Sequence, residues 1–137
     1  MELSFSIEFI VQGTAVSAQA KLAASRNEWK ERVKAASTGA IPQPHFASEA
    51  RLSVTLYYFP DEPMQGDVDN IVKLILDALS RHIYIDDQQV ERLVVQKFEP
   101  GVAFTFDNPS PTFASAIAGQ RPLLYVRLSD KPREEIQ

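Results

Sequence analysis

Apolar and polar positions alternate from the start of the chain, with Phe5, Ile7 and Phe9 set against Ser4, Ser6 and Glu8 within residues 3–11. A period of two puts the apolar side chains on one face and predicts a half-buried strand. After a turn at residues 13–17 the period lengthens. Leu22, Trp29, Val33 and Ala36 fall on one stripe of a helix expected to begin at Ser17 or Ala18. Pro42 and Pro44 stop any helix there, so residues 38–48 read as a loop. Residues 51–59 alternate Leu52, Val54, Leu56 and Tyr58 as a second strand, which PDEPMQ at residues 60–65 breaks. Ile71, Leu74, Ile75, Ala78 and Leu79 then recur at spacings of three and four, predicting a helix that starts within residues 67–70. Residues 92–98 give a third strand and residues 121–128 contain a fourth, with Leu123 and Tyr125 on one face. Between them, residues 99–120 carry Pro100, Gly101, Pro109, Pro111 and Gly119, a long loop with room for a short helix near 113–118.

Taken together, the pattern predicts an α+β domain in the order strand-helix-strand-helix-strand-loop-strand. Its mixed sheet of about four strands would be covered by two main helices, one layer of each. At 137 residues and 45% apolar content the chain fits one domain, taken as residues 1–129 with a charged tail at 130–137. No apolar run approaches the ~20 residues of a membrane span, and the start lacks the basic residues of a secretory signal. With no cysteine, disulfides and thiolate metal sites are excluded, and a reducing, cytoplasmic setting is compatible.

Charge adds a tension. The net charge is −4, whereas nucleic-acid binders usually show a basic footprint. The distribution is uneven: residues 17–36 are net +3 and the remainder is −7. Arg26, Lys30 and Lys34 repeat every four residues and form a basic ridge on the first helix. Such a ridge is either a solvated face or a row of phosphate contacts along a DNA backbone.

The acid concentrates around residues 66–90, GDVDNIVKLILDALSRHIYIDDQQV. Asp67 and Asp69 stand at the start of the second helix, and Asp86-Asp87 precede the third strand. If the helix begins at Asp69, Lys73 stands one turn above it. Carboxylates gathered this way repel one another unless a cation sits among them, and oxygen ligands without Cys or clustered His favour Mg²⁺, or Mn²⁺, over Zn²⁺. The alternative is that Asp67 or Asp69 caps the helix and Asp86-Asp87 is a turn. Asp77 can pair with Lys73, and the two histidines, His45 in a loop and His82 after the helix, read as incidental and structural.

In this region the chain resembles the RusA-like crossover junction endodeoxyribonucleases. The likeness rests on D-x-D-N-x-x-K at Asp67, Asp69, Asn70 and Lys73, then L-D-A-L at residues 76–79, then D-D-x-Q-V at residues 86–90. It implies three catalytic, metal-holding aspartates, Asp67, Asp69 and Asp87, and a catalytic lysine, Lys73; of the second pair it points to Asp87 rather than Asp86. It further implies a Mg²⁺-dependent enzyme that resolves four-way (Holliday) DNA junctions in recombination and repair, acts as a homodimer and is bacterial or phage-encoded. The dimer would meet through the second strand or residues 99–120. An accessory module that binds metal or DNA without resolving junctions is the alternative. The approach to Asp67 departs from the pattern, with Asp61 and Glu62 where the family is often basic.

Overall fold

A computed structural model describes residues 2–134. The elements run β1 (Ile7–Gln12), α1 (Ala23–Thr38), β2 (Leu52–Phe59), α2 (Val72–Leu79), β3 (Val90–Lys97), α3 (Pro111–Ala118) and β4 (Leu123–Ser129). Short 3-10 turns precede α2 at Val68–Ile71 and β3 at Asp87–Gln89. This is the α+β order expected, with the short helix of the long loop realised as α3.

The four strands form one mixed sheet in the order β1-β4-β2-β3, with β2 and β3 parallel and the other pairs antiparallel. A parallel pair needs a crossover connection, and α2 is that crossover. One sheet face carries Ile7, Phe9, Val11, Leu52, Val54, Leu56, Leu124, Val126 and Leu128, all buried against α1 and α2. From α1 come Trp29, Val33 and Ser37; from α2 come Leu74, Ile75, Ala78 and Leu79. Each large apolar side chain so covered contributes about 1.5–3 kcal/mol.

Four features differ from the sequence expectation. Helix α1 starts at Ala23, not at Ser17 or Ala18, so Leu22 occupies the extended N-cap position and is 68% exposed instead of joining the buried stripe. Helix α2 starts at Val72 rather than within residues 67–70, behind a 3-10 turn that closes when the Asn70 amide donates to the Asp67 carbonyl. The domain also has more than one helical layer. Phe104, Phe106 and Phe113, from residues 99–120, cover the second face of the sheet at Tyr57, Phe59, Phe98 and Tyr125, with Phe59 stacked on Phe98 at 5.0 Å. This explains why β2 is buried on both faces. Finally, β2 lies inside the sheet between β4 and β3, so its edge cannot form a dimer contact.

Ser110 caps α3 by accepting from the Phe113 amide at 3.1 Å, ahead of Pro111 in the first turn. Its hydroxyl, like that of Tyr125, also donates to Glu8 on β1. Of the expected tail, residues 135–137 lie outside the described residues, while Arg133 reaches Glu91 on β3 at 3.4 Å.

Candidate active site

The 3-10 turn carrying Asp69 packs beside β3, which brings the two acidic segments to one side of the sheet. Asp67 occupies the extended N-cap position of that turn, yet its side chain makes no capping hydrogen bond. Both Asp67 and Asp69 are exposed, and among the described residues neither carboxylate has a hydrogen-bond or ion-pair partner. The capping alternative for this pair therefore fails. Its lone pairs are unspent.

The second pair is the opposite. Asp86 caps the 3-10 turn before β3 by accepting from the Gln88 amide at 3.0 Å, and Gln89 completes a capping box by accepting from the Asp86 amide at 2.9 Å. Asp86 is thus the structural member. Gln89 also accepts from the Ile85 amide at 2.8 Å, and its amide group donates to the carbonyls of Ser48 and Ala50, both at 2.8 Å. This buried glutamine ties the loop before β2 to the turn before β3. Sequence reasoning missed its role, although it lies within the D-D-x-Q-V block.

Asp87 is held by two other groups. Lys73 approaches its Oδ2 at 3.5 Å, and the Tyr84 hydroxyl lies 2.9 Å from its Oδ1 and 3.0 Å from the Leu76 carbonyl, one proton serving two acceptors. Burial, and after it the Asp87 carboxylate, raise the Tyr84 pKa above its ordinary value, so the hydroxyl remains a donor. Tyr84 was invisible as a site residue because it reads as part of an apolar run. Lys73 also bonds Asp77 at 2.8 Å. The expected stacking of Lys73 on Asp69 is replaced by these two contacts, because the 3-10 turn removes the four-residue helical spacing between them. Asp77 first, then Asp87, raise the Lys73 pKa. With 61% of its side chain exposed, Lys73 adds little stability through these pairs, but it is a fixed cation at the site.

The loop that delivers Asp67 is anchored at both ends. The Arg121 guanidinium donates to the carbonyls of Pro60 and Phe98 and lies over the Phe59 ring at 5.4 Å. The Glu99 carboxylate accepts from the Met64 amide at 2.7 Å and from Lys97 at 3.2 Å, and these partners, in that order, hold its pKa below the ordinary value. Neither anchor was legible in the sequence, since both join segments far apart in the chain.

The ridge on α1 is less uniform than its spacing suggested. Arg26 donates to the Ala20 carbonyl, whereas Lys30 and Lys34 have no ion-pair partner among the described residues. Lys34 faces His82, whose pKa is lowered by burial first, then by His45 and Lys34. The two histidine rings stand edge-on at 5.1 Å, and His45 Nε2 lies 2.8 Å from the His82 carbonyl oxygen. Both histidines are structural, His45 included.

A family model described as Endodeoxyribonuclease RusA matches residues 10–104. This chain belongs to the RusA endodeoxyribonuclease family. The match includes Asp67, Asp69, Lys73, Asp86 and Asp87; α3 and β4 lie beyond it, although β4 sits between β1 and β2 in the sheet. No curated protein matches the chain. Membership in the RusA family implies an endonuclease of the Holliday junction resolvase type acting on DNA, and nucleases of this family are typically metal-dependent. Among the described residues no three His, Asp or Glu side chains stand close enough together to hold a metal ion, and no helix is long and apolar enough to cross a membrane. The donor set nevertheless fits Mg²⁺ or Mn²⁺ in kind: hard carboxylate oxygens, two of the three side chains unengaged, and no sulfur.

Proposed function

We propose that this RusA-family chain is a Mg²⁺-dependent endonuclease that resolves four-way DNA junctions by paired symmetric nicks. The observation that carries the reading is the pair Asp67 and Asp69, exposed at a helix entrance with no side-chain partner among the described residues, while Lys73 on the helix that follows is already fixed against Asp87. In this reading Asp67, Asp69 and Asp87 hold the cation. A divalent ion there supplies Lewis acidity for hydrolysis of a phosphodiester. Asp87 is oriented by Lys73 and Tyr84. Lys73, a cation at any working pH, meets charge developing on the phosphate. Lys30 and Lys34, with Arg26, supply contacts to the DNA backbone and offset the acidic net charge.

Paired nicks in strands of like polarity need two such sites, and one chain carries one. A two-fold homodimer meets the two-fold symmetry of the junction. With β2 interior, the outer surface of residues 99–120 remains as the dimer contact of the two expected. A cytoplasmic enzyme of bacterial or phage origin, used in recombination and repair, fits this activity.

One observation favours the rival, an accessory module that binds without cutting: Lys73 is engaged by two carboxylates rather than turned toward Asp69. Incubating a synthetic four-way junction with the protein and Mg²⁺, against the same mixture with EDTA, separates the two. Symmetric nicks dependent on Mg²⁺ support the enzyme; binding without nicks supports the accessory module.

A further inference from the structure

Beside Asp67 a cleft of about 330 Å³ opens between the turn after β1 and residues 60–67, lined among others by Thr14, Ser17, Tyr58, Asp61, Met64 and Asn70. Ligand cavities begin at about 300 Å³, so this one is sized for a single planar heterocycle rather than a larger molecule. Its chemistry is sorted by depth. Inside, the Tyr58 hydroxyl accepts from the Ala15 amide at 3.1 Å and keeps its own proton, which has no acceptor among the described residues. Burial first, and Asp61 with it, raise the Tyr58 pKa, so that proton stays available as a donor. The lining includes Met64 and Ile71, and the Met64 backbone is fixed by Glu99. At the rim stand Asp61 and Glu62, exposed carboxylates that only accept. No lysine, arginine or histidine lines the cleft, so a phosphate is repelled from it.

A buried donor, apolar walls and acceptors at the mouth match the edge and faces of a neutral nucleobase. Carboxylates accept from exocyclic amino groups, which cytosine, adenine and guanine carry and thymine lacks. We propose that this cleft is a base-binding pocket that takes an unstacked, amino-bearing nucleobase adjoining the phosphate cut at Asp67. The strand-exchange point of a four-way junction is where extrusion costs least, because unstacking is cheapest for a base that is already poorly paired. Asp61 and Glu62, where the sequence departs from a basic approach to the site, thereby acquire a role. The proposal rests on the junction-endonuclease reading.

The test uses four-way junctions with 2-aminopurine, itself amino-bearing, at single positions around the crossover, with EDTA present so that no cutting intervenes. Wild type should raise the fluorescence several-fold at one position. Thr14→Phe, which fills the cleft, should abolish the rise while the junction still shifts on a gel, its affinity lowered by no more than about 10-fold. If that variant fails to fold, the exposed pair Asp61→Asn and Glu62→Gln decides. Wild type should bind junctions with thymine at that position roughly 10-fold more weakly than those with an amino-bearing base, about what a hydrogen bond to a charged group confers, and the double variant should erase the difference. A junction that binds with no fluorescence change at any position, a rise that survives Thr14→Phe, or a thymine penalty retained by the double variant overturns the pocket alone. No junction binding at all overturns the junction reading and the pocket with it.

Discussion

The two acidic pairs of the site, Asp67 with Asp69 and Asp86 with Asp87, have the same composition and opposite physical states. The first pair hangs from an anchored loop and makes no side-chain bonds among the described residues; the second is locked into a capping box, a tyrosine hydroxyl and a lysine. A carboxylate bonded to the protein has a fixed position and a stability role. One without bonds is free to turn toward a ligand, and its loss should cost the fold nothing. In the proposed site one fixed acid would be joined by two unengaged ones, which would have to turn toward a cation to share it with Asp87.

The largest effect should come from the unengaged pair. Asp69→Asn should lower junction cleavage by at least about 100-fold, beyond the 10–100-fold usual for losing a supporting partner, with the melting temperature unchanged. A melting temperature that drops would show that Asp69 has a structural bond after all. Next, Lys73→Ala should remove most of the cleavage rate while keeping the fold and metal affinity, because its exposed ion pairs stabilise little. Activity near wild type would assign it to the locked scaffold instead. Tyr84→Phe keeps the buried ring but frees Asp87; cleavage should fall by about 10–100-fold, and stability by about 1 kcal/mol in urea unfolding. If only stability changes, Asp87 is held adequately by Lys73. Asp86→Ala should reverse the signature of Asp69→Asn, costing about 1 kcal/mol of stability as a lost cap while the rate falls by less than about tenfold. The smallest effect on the chemical step should come from replacing Arg26, Lys30 and Lys34 together by Gln. Binding should weaken, and its salt dependence should flatten by about 0.9 log units per phosphate contact removed, leaving the single-turnover rate on bound junction unchanged. An unaltered slope would make the ridge a solvated face.

The sequence by itself determined the four strands, the amphipathic faces of α1 and α2, and the family blocks around Asp67, Asp69, Lys73 and Asp87. These signals are periodic or local, and a side-chain period survives any tertiary arrangement. It could not determine where each helix begins: Leu22 and Asp69 fit the helical period, but the chain at those points is extended or 3-10, and the Ala18 amide there bonds the Asn70 carbonyl, a contact between distant segments that no local pattern shows. Nor could it reveal that residues 99–120 close the second sheet face with aromatic rings, since a proline-rich loop has no period to read. The different bonding of Asp86 and Asp87 was likewise decided in space. Adjacent and identical in sequence, they differ because one meets backbone amides of its own turn and the other meets Lys73 and the buried Tyr84 hydroxyl, groups that only folding brings to it.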